Sequence, residues 1–423
     1  MRAFFYFSLA LTLCISIPTF GQKKLRTPEK LAKAKTYRSI DEANFAKKKV
    51  YKLNLDGQKL NSVPEDIYQY KNLQELYLRT NNIAFLPDWI FELTNLQILA
   101  LGENNIQALQ PEIGNLIHLE KLDVFDNELA SLPEELGLCK KLYRLDANWN
   151  NLESLPDNLC LLSKLKTLYL DKNKLSSLPE NFGNLSNISD FKIHENQLES
   201  LPESFGNLTL LTQLNLEKNK LTLLPAEIAN LTELTSLNLA NNQITELTDL
   251  SALIKLEELI LSNNSLTSVK GEQVNIPSLK TLDLSNNHIS SVSFNTDKLI
   301  TLESLELEGN KITSPHNLYN IKSLININLN KNNISKITDG VSKLENLETL
   351  SLSSNKIYSV SKQIGQLKKL TYLNLSNNKI QLLQREIGGM ESLIDLHLEN
   401  NRFSDFQKKN VKKYTPAQTT VYF

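Results

Sequence analysis

A short sequence pattern recurs along most of the chain at a nearly constant spacing. Segments beginning at residues 50, 73, 96, 119 and 142 have apolar residues at their first, fourth, sixth and eleventh positions. Further copies begin at residues 165, 188, 211, 234, 256, 279, 302, 324, 347, 370 and 393, which gives sixteen. Thirteen steps are 23 residues long and two are 22. This period predicts a stacked repeat protein, in which each unit buries its apolar side against its neighbours.

Apolar and polar residues alternate around the fourth and sixth positions of every copy. Alternation with a period of two predicts a short strand whose Leu side chains point inward. One strand cannot bury its own apolar side, so we expect sixteen such strands to form a parallel sheet over a continuous Leu core. The outward residues of those strands would then line one open face of the sheet.

The repeated motif L-x-x-L-x-L-x-x-N-x-L resembles that of the leucine-rich repeat family, and the resemblance covers about 85% of the chain. It implies an α/β solenoid, a horseshoe of sixteen repeats with the parallel sheet on its concave face and helical end caps. Only Cys139 and Cys160 follow residue 21, which is too few for the cysteine-rich end caps usual in secreted animal members. The chain is therefore more similar to secreted bacterial members than to animal ones. Cys139 replaces a core Leu, and a bond to Cys160 is the less favoured alternative.

Asn occupies the ninth position of the second to sixteenth copies. Its amide offers two donors and an acceptor, which can satisfy backbone groups where the chain leaves the sheet. We therefore predict a structural ladder and not a binding site, and we expect Gln58 to replace Asn because no turn precedes the first copy. The ladder is formed by Asn81, Asn104, Asn127, Asn150, Asn173, Asn196, Asn219 and Asn242, and by the later Asn264, Asn287, Asn310, Asn332, Asn355, Asn378 and Asn401.

The segments outside the repeats predict export and two end caps. Residues 1–21 have a basic start and a short apolar run typical of a cleaved signal peptide, with cleavage near Gly21, so we expect a secreted, extracellular or periplasmic protein without a transmembrane segment. Residues 22–49 form a basic segment and a cap helix that starts at Ser39, residues 50–403 form the repeat domain, and residues 404–423 form a cap helix and strand.

The second half of the repeats changes along the chain. A Pro follows the strand-containing half in most copies up to Pro225 and is absent from the corresponding positions after Thr245. Segments 246–256 and 336–347 are typical of plain short helices. We therefore expect the convex side to change character near residue 245, within one domain.

Composition and motif content favour binding over chemistry. The net charge of -1 gives no reason to expect nucleic acid. The five His residues show no catalytic or metal-ligand spacing, so we predict no enzyme, no catalytic residues, no metal and no cofactor. Stacked Asp123 and Asp146 could hold a cation, but compensation by Lys121, Arg144 and Lys172 on a solvated face is the favoured interpretation.

Outward positions differ between the two halves of the predicted sheet. In copies nine to sixteen they are mostly Ser, Asn, Thr and Glu, whereas aromatic residues and Arg recur in copies two to seven. Aromatic residues and Arg dominate interface hot spots, which predicts a partner site there, although cross-strand packing of the rings is an alternative. The predicted partner-binding residues are Tyr77, Arg79, Ile98, Phe125, Arg144, Trp149, Tyr169 and His194.

We therefore expect an exported, non-enzymatic recognition scaffold that binds a macromolecule, most readily a protein, on its concave face. A surface glycan is the alternative ligand, and a structural envelope component without a ligand is the alternative class. Residues 22–52 hold eleven Lys and Arg against three Asp and Glu. This segment could be an arm for anionic lipid or polysaccharide, although solvated terminal charge is the favoured interpretation.

Overall fold

The structure is a computed structural model that describes residues 25–423, so the predicted signal peptide lies outside the described residues. The described chain is a solenoid in which successive repeats add parallel strands in chain order, which confirms the predicted fold class. Inward residues are in register between neighbouring strands, as in the pairs Leu53–Leu76 and Leu76–Leu99, so Leu stacks on Leu through the core. No helix among these residues is long and apolar enough to cross a bilayer.

The strands are each two or three residues long. They are β1 Thr36–Tyr37, β2 Lys52–Asn54, β3 Glu75–Tyr77, β4 Ile98–Ala100, β5 Lys121–Asp123, β6 Arg144–Asp146, β7 Thr167–Tyr169, β8 Asp190–Lys192, β9 Gln213–Asn215, β10 Ser236–Asn238, β11 Glu258–Ile260, β12 Ser268–Lys270, β13 Thr281–Asp283, β14 Ser291–Ser293, β15 Ser304–Glu306, β16 Asn326–Asn328, β17 Lys336–Ile337, β18 Thr349–Ser351, β19 Ser359–Val360, β20 Tyr372–Asn374, β21 Asp395–His397 and β22 Thr420–Tyr422. All but β12, β14, β17 and β19 belong to the concave face.

The part of the chain that the structure describes has three short α-helices, all at its two ends: α1 Pro28–Ala32, α2 Ile40–Asn44 and α3 Asp405–Tyr414. The convex side instead carries 3₁₀ turns. They are Lys47–Lys49, Glu65–Gln69, Asp88–Glu92, Pro111–Asn115, Glu134–Leu138, Asp157–Leu161, Phe182–Asn184, Glu203–Asn207, Ala226–Asn230, Gly271–Val274, His316–Asn320, Asp339–Lys343, Lys362–Gln366 and Arg385–Gly389.

The prediction of plain short helices after residue 245 is wrong, because these segments do not form α-helices. Segment 246–256 contains no helix, and segment 336–347 contains a strand followed by the 3₁₀ turn Asp339–Lys343. The convex side does change, because β12 pairs with β14 and β17 pairs with β19 there. An α-helix is about 10 Å wide, whereas strands stack about 4.8 Å apart, so closely stacked convex segments favour narrower turns and strands. A Cβ on Gly183 would lie only 1.9 Å from the Ser204 carbonyl oxygen.

The ninth-position Asn side chains join consecutive repeats. The Nδ2 of Asn104 donates to the carbonyls of Leu78 at 2.9 Å, Leu101 at 2.9 Å and Gly102 at 3.2 Å. Its Oδ1 accepts from the Ile83 N–H at 3.0 Å. The same four bonds recur at Asn219 and Asn355, for example. These amides therefore satisfy backbone groups inside the core.

Both ends differ in detail from expectation. Residues 25–49 contribute β1, which pairs with β2, so the first repeat does have a preceding segment. Gln58 donates to the Arg38 carbonyl at 2.7 Å, which corrects our reason for its presence. Ser39 does cap α2, accepting from the Glu42 N–H at 3.2 Å, but that helix ends at Asn44 and not near Lys49.

The C-terminal end has the predicted helix and strand. Ser404 caps α3, accepting from the Gln407 N–H at 3.3 Å. Strand β22 pairs in parallel with β21, with Val421 opposite Leu396. The Phe403 and Phe423 rings meet edge to face, with centroids 5.9 Å apart, and so cover the last repeat.

The concave sheet is interrupted between β8 and β9. Strands β1–β8 form one sheet, β9 begins a second that ends at β22, and no backbone hydrogen bond joins β8 to β9 directly. Phe191 is the inward residue of β8, where the other strands of the repeats have Leu or Ile. Its ring lies 5.6 Å from that of Phe182 and 6.0 Å from that of Phe205, centroid to centroid. Because a close-packed core must accommodate these larger rings, we attribute the separation of the strands to Phe191.

Candidate interaction surface on the concave face

The eight predicted partner-binding residues lie partly on the concave strands and partly in the turns that follow them. Strand residues are Tyr77 on β3, Ile98 on β4, Arg144 on β6 and Tyr169 on β7. The other four, Arg79, Phe125, Trp149 and His194, lie in the turns that follow their strands, which corrects their assignment to outward strand positions. The concave strands of the repeats are only three residues long, because the chain then turns toward the ladder Asn through a left-handed residue, with φ between 50° and 69° in copies two to sixteen.

Arg79 reaches across one repeat to a carboxylate. Its Nε lies 2.6 Å and its Nη2 2.5 Å from Asp123 Oδ2. Between them the intervening repeat has small residues, with Ala100 level with Tyr77 and Asp123 on the strand and Gly102 in the following turn, which leaves room for the guanidinium. The charge of Arg79 is therefore locally compensated, and its side chain is held in one orientation.

Tyr169 lies between two cations. Arg144 Cζ is 4.7 Å and Lys192 Nζ is 4.3 Å from its ring centroid, distances typical of cation–π contacts. The hydroxyl donates a hydrogen bond to Asp190 on the next strand. Burial and the Asp190 carboxylate raise the pKa of Tyr169, so the ring stays neutral at physiological pH.

Trp149 is the most exposed aromatic residue of the predicted set. Its side chain is 48% exposed, and Lys172 Nζ lies 3.5 Å from its ring centroid. Its backbone has a left-handed φ of 54°, at a position where most other copies have Asn, Lys, Glu or another small or flexible residue. For a large non-Gly residue this backbone conformation is unfavourable.

Tyr77, Ile98 and Phe125 are half-buried. The Tyr77 hydroxyl donates to Glu75 on its own strand at 3.0 Å, and burial is the main reason that the pKa of Tyr77 is raised. Because these side chains are partly buried in the sheet, they also cover neighbouring strands, as the alternative of cross-strand packing predicts. They contribute less free surface than Trp149.

The carboxylates on this face have protein partners. Asp123 and Asp146 are register neighbours, and Arg144 Nη2 lies 3.4 Å from Asp146 Oδ2. Burial, followed by the Asp123 charge, raises the pKa of Asp146. Compensation therefore comes from Arg79 and Arg144, not from the full set predicted. Among residues 25–423 no group of three or more His, Cys, Asp or Glu is arranged to hold a metal ion.

His194 is paired with a buried carboxylate. Its Nδ1 lies 2.8 Å from Asp171 Oδ1, and the same oxygen accepts the His194 backbone N–H at 2.9 Å. Asp171 also donates its N–H to Asn148 Oδ1 at 2.6 Å, and burial raises the pKa of its carboxyl. Together with Asn148, the pair connects copies five to seven and orients the His194 ring on the open face.

The sequence did not reveal a cleft at the sheet interruption. A depression of about 560 Å³ opens between β8 and β9, with Phe191 and Leu214 among its lining residues. Its polar lining includes Asp190, Gln213 and Glu258. The cleft adjoins Tyr169 and His194 and so extends the predicted surface toward the later copies. Phe in place of an inward Leu was the signal that could have located it.

A second aromatic group lies at the far end of the same face. The His397 ring stacks on Tyr422, with centroids 4.3 Å apart, and contacts Tyr372 at 5.3 Å. These residues come from β20, β21 and β22, so the stack forms only when the last strand pairs. Tyr372 and Tyr422 are 50 residues apart, and nothing in the repeat pattern linked them.

The two remaining cysteines are separate from this surface. Cys139 and Cys160 are both buried and both free. Cys139 is a core residue, with its thiol 3.4 Å from the Ile113 carbonyl. Burial raises the pKa of each thiol to about 11.

The repeats of this chain match known protein families. A family described as leucine-rich repeat region matches residues 49–155. A leucine rich repeat family matches residues 163–221, 320–380 and 345–403, and a family of leucine rich repeats (2 copies) matches residues 254–297. Together these matches cover more than half of the chain. The comparison with curated proteins gives no match.

Solved structures give the same result. A leucine-rich repeat protein of Leptospira interrogans is 34% identical over 92% of this chain and 100% of its own, with a TM-score of 0.74. The plant peptide hormone receptor RGFR1, solved in complex with RGF2, is 25% identical over 91% and 77% of the two chains, with a TM-score of 0.62. The functional domain of InlJ from Listeria monocytogenes shares the fold, at 20% identity over 82% and 72% and a TM-score of 0.61. On this repeat pattern, fold and similarity, the chain belongs to the leucine-rich repeat family.

Proposed function

We propose that this protein is an exported, non-enzymatic recognition scaffold that binds a protein partner on the concave face of repeats two to seven. The surface comprises the eight predicted residues and continues into the cleft between β8 and β9. Export rests on residues 1–21, whose composition is typical of a signal peptide. The proposed mature chain comprises the basic cap segment 22–49, the repeat domain 50–403 and the C-terminal cap 404–423.

The backbone conformation and the exposure of Trp149 are the main support for this proposal. Folding does not require an aromatic ring at this left-handed turn position, where Asn241, Asn263 and Gly309 occupy the equivalent sites. A large residue in this conformation costs about 1–3 kcal/mol in general, and half of the ring still faces solvent. A residue that is unfavourable locally and apolar at the surface is best explained by contact with a partner.

The surrounding side chains are already held in place. Arg79 is fixed by Asp123, Tyr169 by Arg144, Lys192 and Asp190, and His194 by Asp171. Side chains ordered before association lose less conformational entropy when a partner binds. The surface therefore suits recognition by a rigid face, with Trp149 as its most exposed anchor.

The dimensions also suit a macromolecular partner. Tyr77 on β3 and Tyr169 on β7 are four strand spacings apart, or roughly 19 Å at about 4.8 Å per spacing. A standard protein interface buries about 800 Å² on each side, which a patch of this width can supply. The similarity to the receptor RGFR1, solved with RGF2 bound, supports a protein or peptide ligand for a scaffold of this kind.

The test is a paired substitution on the proposed surface. Purified protein is first screened against protein and glycan arrays, and the affinity of each hit is then measured for Phe125→Ala combined with Trp149→Ala. We expect a protein hit whose Kd rises at least about thirtyfold, equivalent to loss of a 2 kcal/mol hot spot. The melting temperature should fall only slightly, because Trp149 is half-exposed and Phe125, although partly buried, does not belong to the Leu core.

Tyr358→Ala is the matched control. Tyr358 is a 54% exposed ring with Lys336 5.4 Å from its centroid, and it lies immediately before the convex strand β19. Its loss should leave the Kd unchanged. Equal weakening by both variants would argue against the concave site, and glycan hits that depend on Phe125 and Trp149 would favour the glycan alternative.

A further inference from the structure

The N-terminal cap exposes an aromatic ring next to three consecutive lysines. Phe45 follows α2 directly and is 93% exposed, and the 3₁₀ turn Lys47–Lys49 begins two residues later. These residues line one shallow depression of about 410 Å³ together with Asn44 and Ala46. We call Phe45 with Lys47–Lys49 the cap patch.

Phe45 has no role in closing the core. Its neighbours Ala43 and Val50 are fully buried, and Ala46 packs partly against the same cluster, so they cover the first repeat without it. Leaving a Phe side chain in water forgoes the large favourable free energy of burying it. The position would tolerate a polar residue equally well in the isolated fold.

The lysines of the cap patch lack acidic partners among the described residues. Ion pairs in this region join Lys35 to Glu42 and Lys52 to Glu75 instead. Lys47 donates to the Gln69 amide oxygen, which leaves its charge uncompensated. Residues 22–52 carry a formal charge of +8, from eleven basic and three acidic residues, in a chain whose total is -1. Positive potential is therefore concentrated at this end of the solenoid.

We infer that the cap patch docks the protein on an anionic lipid bilayer, with Phe45 at the headgroup–acyl boundary and Lys47–Lys49 against acidic headgroups. Aromatic rings favour the membrane interface, and adjacent Lys residues are attracted by the negative surface potential. A soluble polyanion would explain the lysines but would offer no apolar environment to the ring. Docking through the end of the solenoid leaves the proposed partner surface uncovered, so the inference does not depend on that proposal.

The C-terminal helix is the rival site on the same chain. It exposes Phe406 and carries Lys408, Lys409, Lys412 and Lys413. Residues 404–423 have a formal charge of only +3, and Phe406 is less exposed, at 69%. Both features favour the N-terminal cap, and the helix supplies matched control lysines.

The experiment is co-sedimentation of the full chain with vesicles. Vesicles of phosphatidylcholine alone report any binding through residues 1–21, and equimolar phosphatidylcholine and phosphatidylglycerol add the anionic surface. The gain in affinity on the anionic vesicles is compared between variants. We expect Phe45→Ser to lower it at least about tenfold. Lys47→Gln, Lys48→Gln and Lys49→Gln together should lower it on the order of 100-fold, at about fivefold per lysine.

Two control variants test whether the effect is local. Phe85→Ser removes a 70% exposed ring elsewhere, and Lys409→Gln with Lys412→Gln and Lys413→Gln removes the same charge from α3. Each should change the affinity by no more than about twofold. Phe45→Trp should also show a blue-shifted emission on anionic vesicles, relative to the wild-type background of Trp89 and Trp149.

Several results would overturn the inference. Equal binding to neutral and anionic vesicles would remove the charge requirement, and equal losses in the α3 control would show that general basic charge is responsible. Binding to dextran sulfate, a soluble polyanion, is measured as the last comparison. If it binds as tightly as the vesicles and Phe45→Ser leaves both affinities unchanged, the cap patch recognises charge alone and not a bilayer.

Discussion

Replacing one ladder Asn tests whether these side-chain amides stabilise the solenoid. Asn219 is the informative site because it bridges the interruption between β8 and β9. Its Nδ2 donates to the Ile193 carbonyl at 3.2 Å, across the gap, and to those of Leu216 and Glu217 at 3.1 and 3.4 Å. Its Oδ1 accepts the Leu198 N–H at 3.0 Å. Asn219→Ala therefore deletes four bonds where strand pairing is already missing.

The expected loss of unfolding free energy depends on which hydrogen bonds the backbone partners of Asn219 retain in the variant. Leu198 N–H loses its acceptor inside the core, which costs about 1–3 kcal/mol. The Ile193 carbonyl keeps the Asn196 amide at 3.2 Å, and the Leu216 carbonyl keeps the Asn242 amide at 3.0 Å. These carbonyls therefore lose only part of their hydrogen bonding, about 0.5 kcal/mol each. The total loss of unfolding free energy should be about 2–4 kcal/mol.

Urea denaturation followed by far-UV circular dichroism measures this loss, and hydrogen exchange of the Leu198 amide reports it directly. Asn105→Ala is the matched control, because Asn105 is exposed and directly follows a ladder residue, and it should cost no more than about 0.5 kcal/mol. If both variants unfold at the same urea concentration and Leu198 stays protected, the amide ladder does not stabilise the fold as described.

Two further predictions concern the interruption and the buried thiols. Phe191→Leu should let β8 and β9 pair, so the Ile193 and Gln213 amides should gain protection from hydrogen exchange; unchanged exchange would mean that Phe191 is not the cause. Because burial raises the pKa of both Cys139 and Cys160 to about 11, each thiol is protonated at neutral pH and should react slowly with iodoacetamide. Labelling of these two residues should accelerate as the pH approaches 11 or in urea, and rapid labelling of either one in native protein at neutral pH would contradict its burial.

The candidate site was only partly predictable from the sequence. Outward alternation correctly placed Tyr77 and Tyr169 on strands, since side chains alternate between the faces of any strand. It could not place Trp149, because the strand ends before the left-handed turn. The contact between Arg79 and Asp123 also escaped prediction, because it spans 44 residues and depends on the small side chains of the repeat between them.

The repeat by itself determined the architecture. A 22–23-residue period with paired inward Leu and a ninth-position Asn leaves few arrangements other than stacked turns, because each unit must bury its apolar side on the next. Tertiary structure alone decided where that regularity fails. The gap at β8 depends on how three Phe rings share one core, and the narrow convex turns depend on how closely neighbouring repeats approach. Both are properties of packing between repeats, which the residues of a single repeat do not specify.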